Sequence, residues 1–385
     1  MTKFQPHSES SSEAPPAPRR TQGQEFWRLF KKNRLALAGL AIFLIFFIIA
    51  VAGLSVTSGT RPYFDPALVR LPEKLRPPLS RPNLEVLIPG EMPPLGMYVF
   101  GTDDLGRDVF SRMLQGAWVS LTVGFVAVGI AVFVGILLGG IAGYYGQTSI
   151  TINHIFLFCL MLGGASAFAF GSLFPGVILL IAAIAFLYRS ARSGKPAKPS
   201  LALAWLQKGA TSVDTLIMRF VDIMLCFPSF FLILTVVALL PASIYNIMIV
   251  IGLTSWMGTT RFVRAEFLSL REQDFVTAAK ALGVGDRRII FRHMIPNAVA
   301  PVLVSATIGI AGAILTEAGL SFLGFGVPPP YATWGNILSD GKRFIFDAPW
   351  LTFIPGFAIL IVVLSFNLFG EGLRDILNPK LRERY

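Results

Sequence analysis

Charge is what this chain of 385 residues has least of: Asp, Glu, Lys and Arg make up 14% of it, against 54% hydrophobic residues. Soluble domains carry about 25% charged residues, so a water-facing globular surface is excluded for most of the length. From Met113 to Tyr188 there is no Asp, Glu, Lys or Arg. Cysteine is scarce too, with two residues. Cys159 and Cys226 both lie inside apolar segments, which makes a disulfide framework untenable and leaves redox chemistry without support. His7, His154 and His293 are far apart and lack ligand-type neighbours, so no metal site is expected. No Ser/His, HExxH or paired-Asp arrangement falls within the apolar runs, which argues against an intramembrane enzyme. A phosphate cradle of the form GxxxxGK[ST] is missing too. Gly335 to Arg343 (GNILSDGKR) imitates one, but it is a residue too long and has Arg343 where Ser or Thr is required.

What is present is a series of apolar runs. Runs of about 20 residues cross about 30 Å of hydrocarbon as helices, and the lack of period-2 alternation argues against a barrel. The expected fold is all-α, a polytopic helical membrane protein. The net charge of +11 is no sign of nucleic-acid binding, because the Lys and Arg residues flank the runs, where the positive-inside rule places them.

Residues 1–25 are rich in Ser, Pro and Gln and read as a disordered cytoplasmic tail. Residues 26–54 hold a basic segment (Trp27, Arg28, Lys31, Lys32, Arg34) and a first span, Leu35 to Leu54, too long for a signal peptide. Residues 55–112 form a Pro-rich extracytoplasmic loop. It ends in Gly101 to Arg112, where Asp103, Asp104, Arg107 and Asp108 suit a helix start with self-paired charges or a docking surface for a partner. Residues 113–146 contain a second span from about Ala117 to Tyr144. Residues 147–212 are an apolar insert followed by a basic cytoplasmic loop with Arg189, Arg192, Lys195, Lys198 and Lys208. Both ends being cytoplasmic, the insert crosses twice as two short helices or dips in as a re-entrant hairpin.

Residues 213–372 supply the remaining core. One span runs from about Val213 to Leu240, with Asp214, Arg219 and Asp222 near its cytoplasmic end and Pro228 expected to kink it. Others run from Ile244 to Thr260, Ala298 to Leu323 and Leu351 to Phe369, and residues 373–385 form a basic cytoplasmic tail. Glu317, near the outer end of its span, either lines a path or pairs with a neighbouring helix. Trp334, beside Pro328-Pro329-Pro330, either meets an outer partner or anchors at the interface.

Between two of these spans lies a polar island, Asp274 to Asn297 (DFVTAAKALGVGDRRIIFRHMIPN), within the cytoplasmic loop 265–297. Phe275, Ala279 and Leu282 follow i, i+4, i+7 spacing and are expected on one face of a short helix. Gly283 suits a left-handed stop, Asp286 is expected to cap a second helix carrying Ile289, Ile290 and His293, and Pro296 to end it. Lys280, Arg287, Arg288 and Arg292 give a basic rim. On periodicity alone the segment also fits a helix lying on anionic lipid.

The full pattern resembles the EAA loop of ABC importer permeases: Glu-Ala-Ala, three residues, Gly, nine residues, then Ile-x-Leu-Pro. Here it reads Thr277-Ala278-Ala279, Gly283, then His293-Met294-Ile295-Pro296, departing at Thr277 and His293. FWRLFKKNRLALAGLAIFL, FGTDDLGRDVFSRMLQGA, DTLIMRFVDIMLCFPS and EAGLSFLGFGVPPPYATWGNIL, in family order, are similar to the C-type permease subunit of dipeptide and oligopeptide importers. In the usual member GYYGG leads almost directly into the DTLIMR-like segment. The insert separates them here.

The resemblance implies a type I ABC importer permease with about six core spans plus an apolar hairpin insert, in a bacterial inner membrane with both termini cytoplasmic. It implies a non-catalytic subunit that binds no cofactor, with ATP and Mg used by two cytoplasmic ATPase subunits. Further partners are a second permease, an extracytoplasmic solute-binding protein and membrane lipid. Thr277, Ala278, Ala279, Leu282, Gly283, Asp286, Ile295 and Pro296 would couple to the ATPase, Glu317 would line the path, and Asp103, Asp104, Arg107, Asp108 and Trp334 would meet the binding protein. Gly283→Glu, or a charge at Ala279, is expected to uncouple hydrolysis from transport. The solute class is peptides, with metal chelates, oligosaccharides and peptide-like antibiotics as alternatives. A self-contained secondary carrier is the competing class, but acids other than Glu317 are confined to span ends.

Single cysteines at Ser172 and Arg192 test the insert. We expect an outer label at Ser172 and a cytoplasmic one at Arg192. A cytoplasmic label at Ser172 rules out two crossings, and an outer label at Arg192 overturns the topology.

Overall fold

Apolar segments in hydrocarbon must pair their own N–H and C=O groups, and each apolar segment described here is helical. The computed structural model describes residues 22–377, apart from 61, 86, 88, 147 and 152–208. The chain opens with α1 (Gln22–Lys32) and α2 (Arg34–Thr57), separated by Asn33, whose side chain accepts a 3.1 Å hydrogen bond from the Ala36 N–H. α1 begins inside the segment expected to be unstructured. Its apolar face gives the reason: Leu29 and Phe30 bury against Ile376 near the far end of the chain, with Phe30 edge-on to Phe369.

The loop that follows α2 is a compact cap. The Glu73 carboxylate is fully buried and accepts from Arg76 Nε and the Asn83 N–H, both at 3.0 Å. Burial also pushes the Tyr98 hydroxyl up to about 12. The loop feeds α3 (Val109–Tyr144), which starts ahead of the expected Ala117 because Asp108 caps it, accepting from the Ser111 N–H at 3.0 Å.

After α3 come β1 (Ser149–Thr151), β2 (Gly209–Ser212), α4 (Val213–Leu225), α5 (Ser229–Leu239), α6 (Ile244–Arg271) and α7 (Asp274–Ala281). A short α8 (Asp286–Arg288), a π turn (Ile289–Met294) and α9 (Ile295–Phe322) follow as one continuous stretch, then α10 (Trp334–Gly341) and α11 (Trp350–Leu377). Among the described residues, four stretches are long and apolar enough to cross a membrane: Arg34–Thr57, Val109–Tyr144, Asp286–Phe322 and Trp350–Ile376. α4 and α5 together make a fifth, bent by 79° at Pro228, a break rather than the expected kink. Pro228 is the N-cap of α5, where its missing N–H costs no helical bond. α6 has the length at 28 residues, but Asn246 and a run of Ser, Thr and Arg dilute its hydropathy.

α6 lies against α3. Gly252 faces Ile130, Gly139 faces Thr260 and Gly143 faces Phe267, so the two helices run parallel. A Cβ on Gly143 would fall 2.4 Å from the Phe267 Cβ, and one on Gly139 2.5 Å from the Thr260 carbonyl oxygen. The contact is therefore made at backbone distance, which only glycine permits. α4 begins where α3 ends, with Gly146 against Asp214. Across the same level Asp214 pairs with Arg264, and Asp222 with Arg261 at 2.5 Å. The charges of α4, Asp214 in its first turn and Asp222 in its last, thus bind it to α6.

β1 and β2 pair antiparallel, Ser149 with Ser212 and Ile150 with Thr211, so the chain departs at 151 and returns at 209 at one end of the bundle. Two crossings or a dip both require that geometry. The insert itself, with Cys159, Ser172 and Arg192, lies outside the described residues, as do residues 1–21 and 378–385.

Gly143→Leu should lower stability by about 1–3 kcal/mol through overpacking of the α3–α6 contact. Gly129→Ala, where an added Cβ meets nothing within 4 Å, should change it by about 0.5 kcal/mol at most or improve it. Thermal midpoints in detergent measure both. Equal midpoints would remove the contact as a stability determinant.

Candidate functional site

The island between α6 and α9 is built on the end of the α3–α6 pair. Val276, Ala279, Ile289 and Met294 are buried in one cluster with Phe267, Leu270, Val263 and Tyr144. This fixes the inner side of the loop. α7 stops in a Schellman arrangement: the Gly283 N–H donates to the Lys280 carbonyl at 2.9 Å and the Val284 N–H to the Ala279 carbonyl at 3.0 Å. Gly283 has φ +74°, the left-handed conformation that the motif requires. The turn expected at this glycine is therefore present.

The outer side carries Leu282, 83% exposed, and Phe291, 68% exposed, among the exposed cations Lys280, Arg287, Arg288 and Arg292. Three expectations are corrected. Phe275, Ala279 and Leu282 do not share one environment: Phe275 and Leu282 face out, while Ala279 lies on the boundary and is buried with Val276. Asp286 is not a cap. Gly285 holds that position, and the Asp286 carboxylate instead accepts a 2.7 Å hydrogen bond from the Tyr144 hydroxyl. Pro296 does not end the second helix. It sits in the first turn of α9, directly after the π turn, whose wider register moves aside the carbonyl that its ring would strike.

Of the remaining island residues, Thr277 donates to the Asp274 carbonyl at 2.9 Å and is exposed, as is Ala278, while Ile295 is half-buried. Sequence reasoning missed Tyr144. Its hydroxyl meets Asp286, and the Lys280 ammonium lies 5.3 Å from its ring centre. These partners are far away in the chain, so no local pattern announced them.

At the other end of α3 the charges of Gly101 to Arg112 close on themselves, as one of the two readings expected. Asp103, fully buried, accepts from Arg107 Nε at 2.7 Å and Arg112 Nη1 at 2.6 Å. Asp340 of α10, invisible to local spacing, takes Arg112 Nη2 at 2.9 Å and Arg107 Nη2 at 3.3 Å. Burial raises the carboxyl pKa of Asp108, and it raises that of Asp104 with help from the Asp103 and Asp340 charges. Asp104 and Arg107 remain half-buried, beside a cavity of about 450 Å³ that Tyr331 and Asn336 also line.

Asp103, Asp108 and Trp334 are buried, so they support that surface from beneath and do not themselves meet a partner in this conformation. Trp334 is 1% exposed and donates from Nε1 to the Met113 carbonyl at 3.3 Å, because α10 folds back onto the start of α3. Glu317 is likewise buried, with Oε1 accepting from Ser321 at 2.7 Å and no hydrogen bond to Oε2 among the described residues. It lies inside the core of its own chain. The imitation phosphate loop, Gly335 to Arg343, is α10 and a 3₁₀ turn, and Lys342 donates to the Phe322 carbonyl at 3.0 Å. Among the described residues no three His, Cys, Asp or Glu form a metal-holding group.

The sequence profile of the binding-protein-dependent transport system inner membrane component matches residues 201–383. That of the N-terminal TM domain of oligopeptide transport permease C matches residues 21–78. A dipeptide transport system permease protein of Alkalihalophilus pseudofirmus is 36% identical over 93% of this chain and 90% of its own. A di/tripeptide transport system permease protein of Pseudomonas aeruginosa is 33% identical, covering 93% and 92%. An oligopeptide transport system permease protein of Bacillus subtilis is 30% identical, covering 92% and 88%. With its apolar helices, its glycine-stopped loop and relatives matched nearly end to end, the chain belongs to the ABC importer permeases of the dipeptide and oligopeptide transport family.

Proposed function

We propose that the chain is a permease subunit of an ATP-driven peptide importer, forming the translocation path with a second permease in the bacterial inner membrane, both termini cytoplasmic. Energy comes from two cytoplasmic ATPase subunits that grip the island, and solute comes from an extracytoplasmic binding protein. Leu282 carries this reading. A large apolar side chain 83% exposed at a stiff helix end, ringed by cations, is a plug for a groove on another protein. Thr277, Ala278, Gly283, Ile295 and Pro296 shape the same element, and Ala279 and Asp286 hold it from within. ATP and Mg stay with the partners. Peptides are the solute because relatives spanning nearly the whole chain are named for dipeptide, di/tripeptide and oligopeptide transport.

Mechanically, the inner side of α7 is embedded beside Phe267 and Tyr144, so a push on Leu282 is delivered to packed helices and not absorbed in a loose loop. α7 joins α6 through Glu272 and Gln273, and the π turn runs straight into α9. Both spans are thus moved through the chain itself. On the outer side, Asp104 and Arg107 offer a charged edge to the binding protein.

Leu282→Asp and Gly283→Glu, reconstituted with the ATPases and binding protein, should keep hydrolysing ATP while peptide uptake falls about tenfold or more, the loss expected of an interface anchor. A charge at Ala279 is a poorer test, since that site is buried and the loop would lose its packing. Wild-type uptake by Leu282→Asp would refute the coupling role. Uptake by the permeases without ATPase subunits would refute the class.

A further inference from the structure

We infer that Tyr144 is the positioning residue that makes α3 move with the coupling loop, through its hydrogen bond to Asp286 and its contact with Lys280. This rests on the coupling role proposed above and adds a transmission step to it.

The loop meets three long helices. Two of them, α6 and α9, are its covalent neighbours and follow it by chain connection. α3 has no such link and is held to the loop by side chains alone. At its last residue, Tyr144 is 7% exposed and presents two different groups to the island. The hydroxyl donates to Asp286 Oδ1 at 2.7 Å, reaching the first turn of α8. The ring face receives the Lys280 ammonium at 5.3 Å, reaching the last turn of α7.

One side chain therefore spans both arms of the bent element, on either side of the Gly283 turn. The apolar cluster beneath it gives cohesion without direction, whereas a hydrogen bond to a carboxylate fixes both distance and angle. Gly139 and Gly143, just before Tyr144, lock α3 to α6 at backbone distance, so a displacement delivered at Tyr144 meets a stiff body. Arg264, on the facing turn of α6, carries the link onward to Asp214 of α4.

The test uses the complete importer in proteoliposomes, with peptide moved per ATP hydrolysed as the readout. Tyr144→Phe keeps the ring, the packing and the Lys280 contact and removes only the hydroxyl. Loss of a hydrogen bond to a charged group should lower the transport-to-hydrolysis ratio about tenfold. The ATPase subunits should still co-purify in wild-type amounts. Asp286→Ala should match Tyr144→Phe, the double variant should be no worse than either single, and Asp286→Asn, which keeps an acceptor oxygen, should recover most of the ratio.

A wild-type ratio in Tyr144→Phe, or additive losses in the double variant, would overturn the inference. Loss of ATPase co-purification in Tyr144→Phe would also overturn it, by assigning the residue to docking. Failure of the underlying coupling role looks different, because Leu282→Asp would then transport normally. Uncoupled Leu282→Asp beside fully coupled Tyr144→Phe would sink the transmission step alone.

Discussion

Between Gly135 and Gly143, α3 comes so close to α6 that side chains there would collide with the Thr259 Cβ, the Thr260 carbonyl oxygen and the Phe267 Cβ. Lipid tails are as apolar as leucine, so helices in a membrane are not driven together by water, and close packing has to supply the cohesion. A seam of glycines does so by letting two backbones touch. The helices are then fixed in rotation as well as distance, because any turn of α3 would bring Val132, Ile136 or another bulky neighbour to the line of contact. The buried cluster of the island, the α4 ion pairs and the β1–β2 strand pair are all referred to the same end of this pair.

Charge is arranged around the same pair with little waste. Asp103 and Glu73 in the cap are fully buried, and each is paired with arginine and with backbone N–H groups. Removing Arg112 from its buried pair with Asp103 costs about 3–5 kcal/mol, since the other charge is left without compensation. At the island end, Asp214 with Arg264 and Asp222 with Arg261 are more exposed and correspondingly weaker. The cap end is held by buried charge and the island end by exposed charge.

Features written in local spacing could be read from the sequence. The apolar runs gave the helices, Asp108 stood where a cap belongs, Pro228 marked a bend though not the full break, and Gly283 marked a left-handed stop. Features that join distant segments could not. Asp340 is far from Arg112 in the chain, and Tyr144 is as remote from Asp286, so neither pairing has a period to betray it. Asp286 was misassigned for a related reason: a short acidic residue before a helix reads as a cap, but here a glycine already filled that position and the tyrosine hydroxyl claimed the carboxylate. Trp334 was misplaced because an aromatic beside a proline run fits a membrane interface, whereas α10 carries it back into the core.

The two ends of α3 now bear on each other. At about 1.5 Å per residue its 36 residues make a rod of roughly 54 Å, well beyond about 30 Å of hydrocarbon, so the helix is longer than the lipid core is thick. The first end holds Arg112, tied through Asp103 to the cap and through Asp340 to α10. The inner end holds Tyr144, tied to the island. A rod clamped to the cap and locked along its inner half to α6 transmits rotation or tilt more readily than bending. A displacement at the island would therefore reach the surface near Asp104 and Arg107 with no need for a chain of small rearrangements through the core. The carboxylate of Asp103 then serves more than the stability of the loop, because it turns that end of α3 and the edge carrying Arg107 into one body.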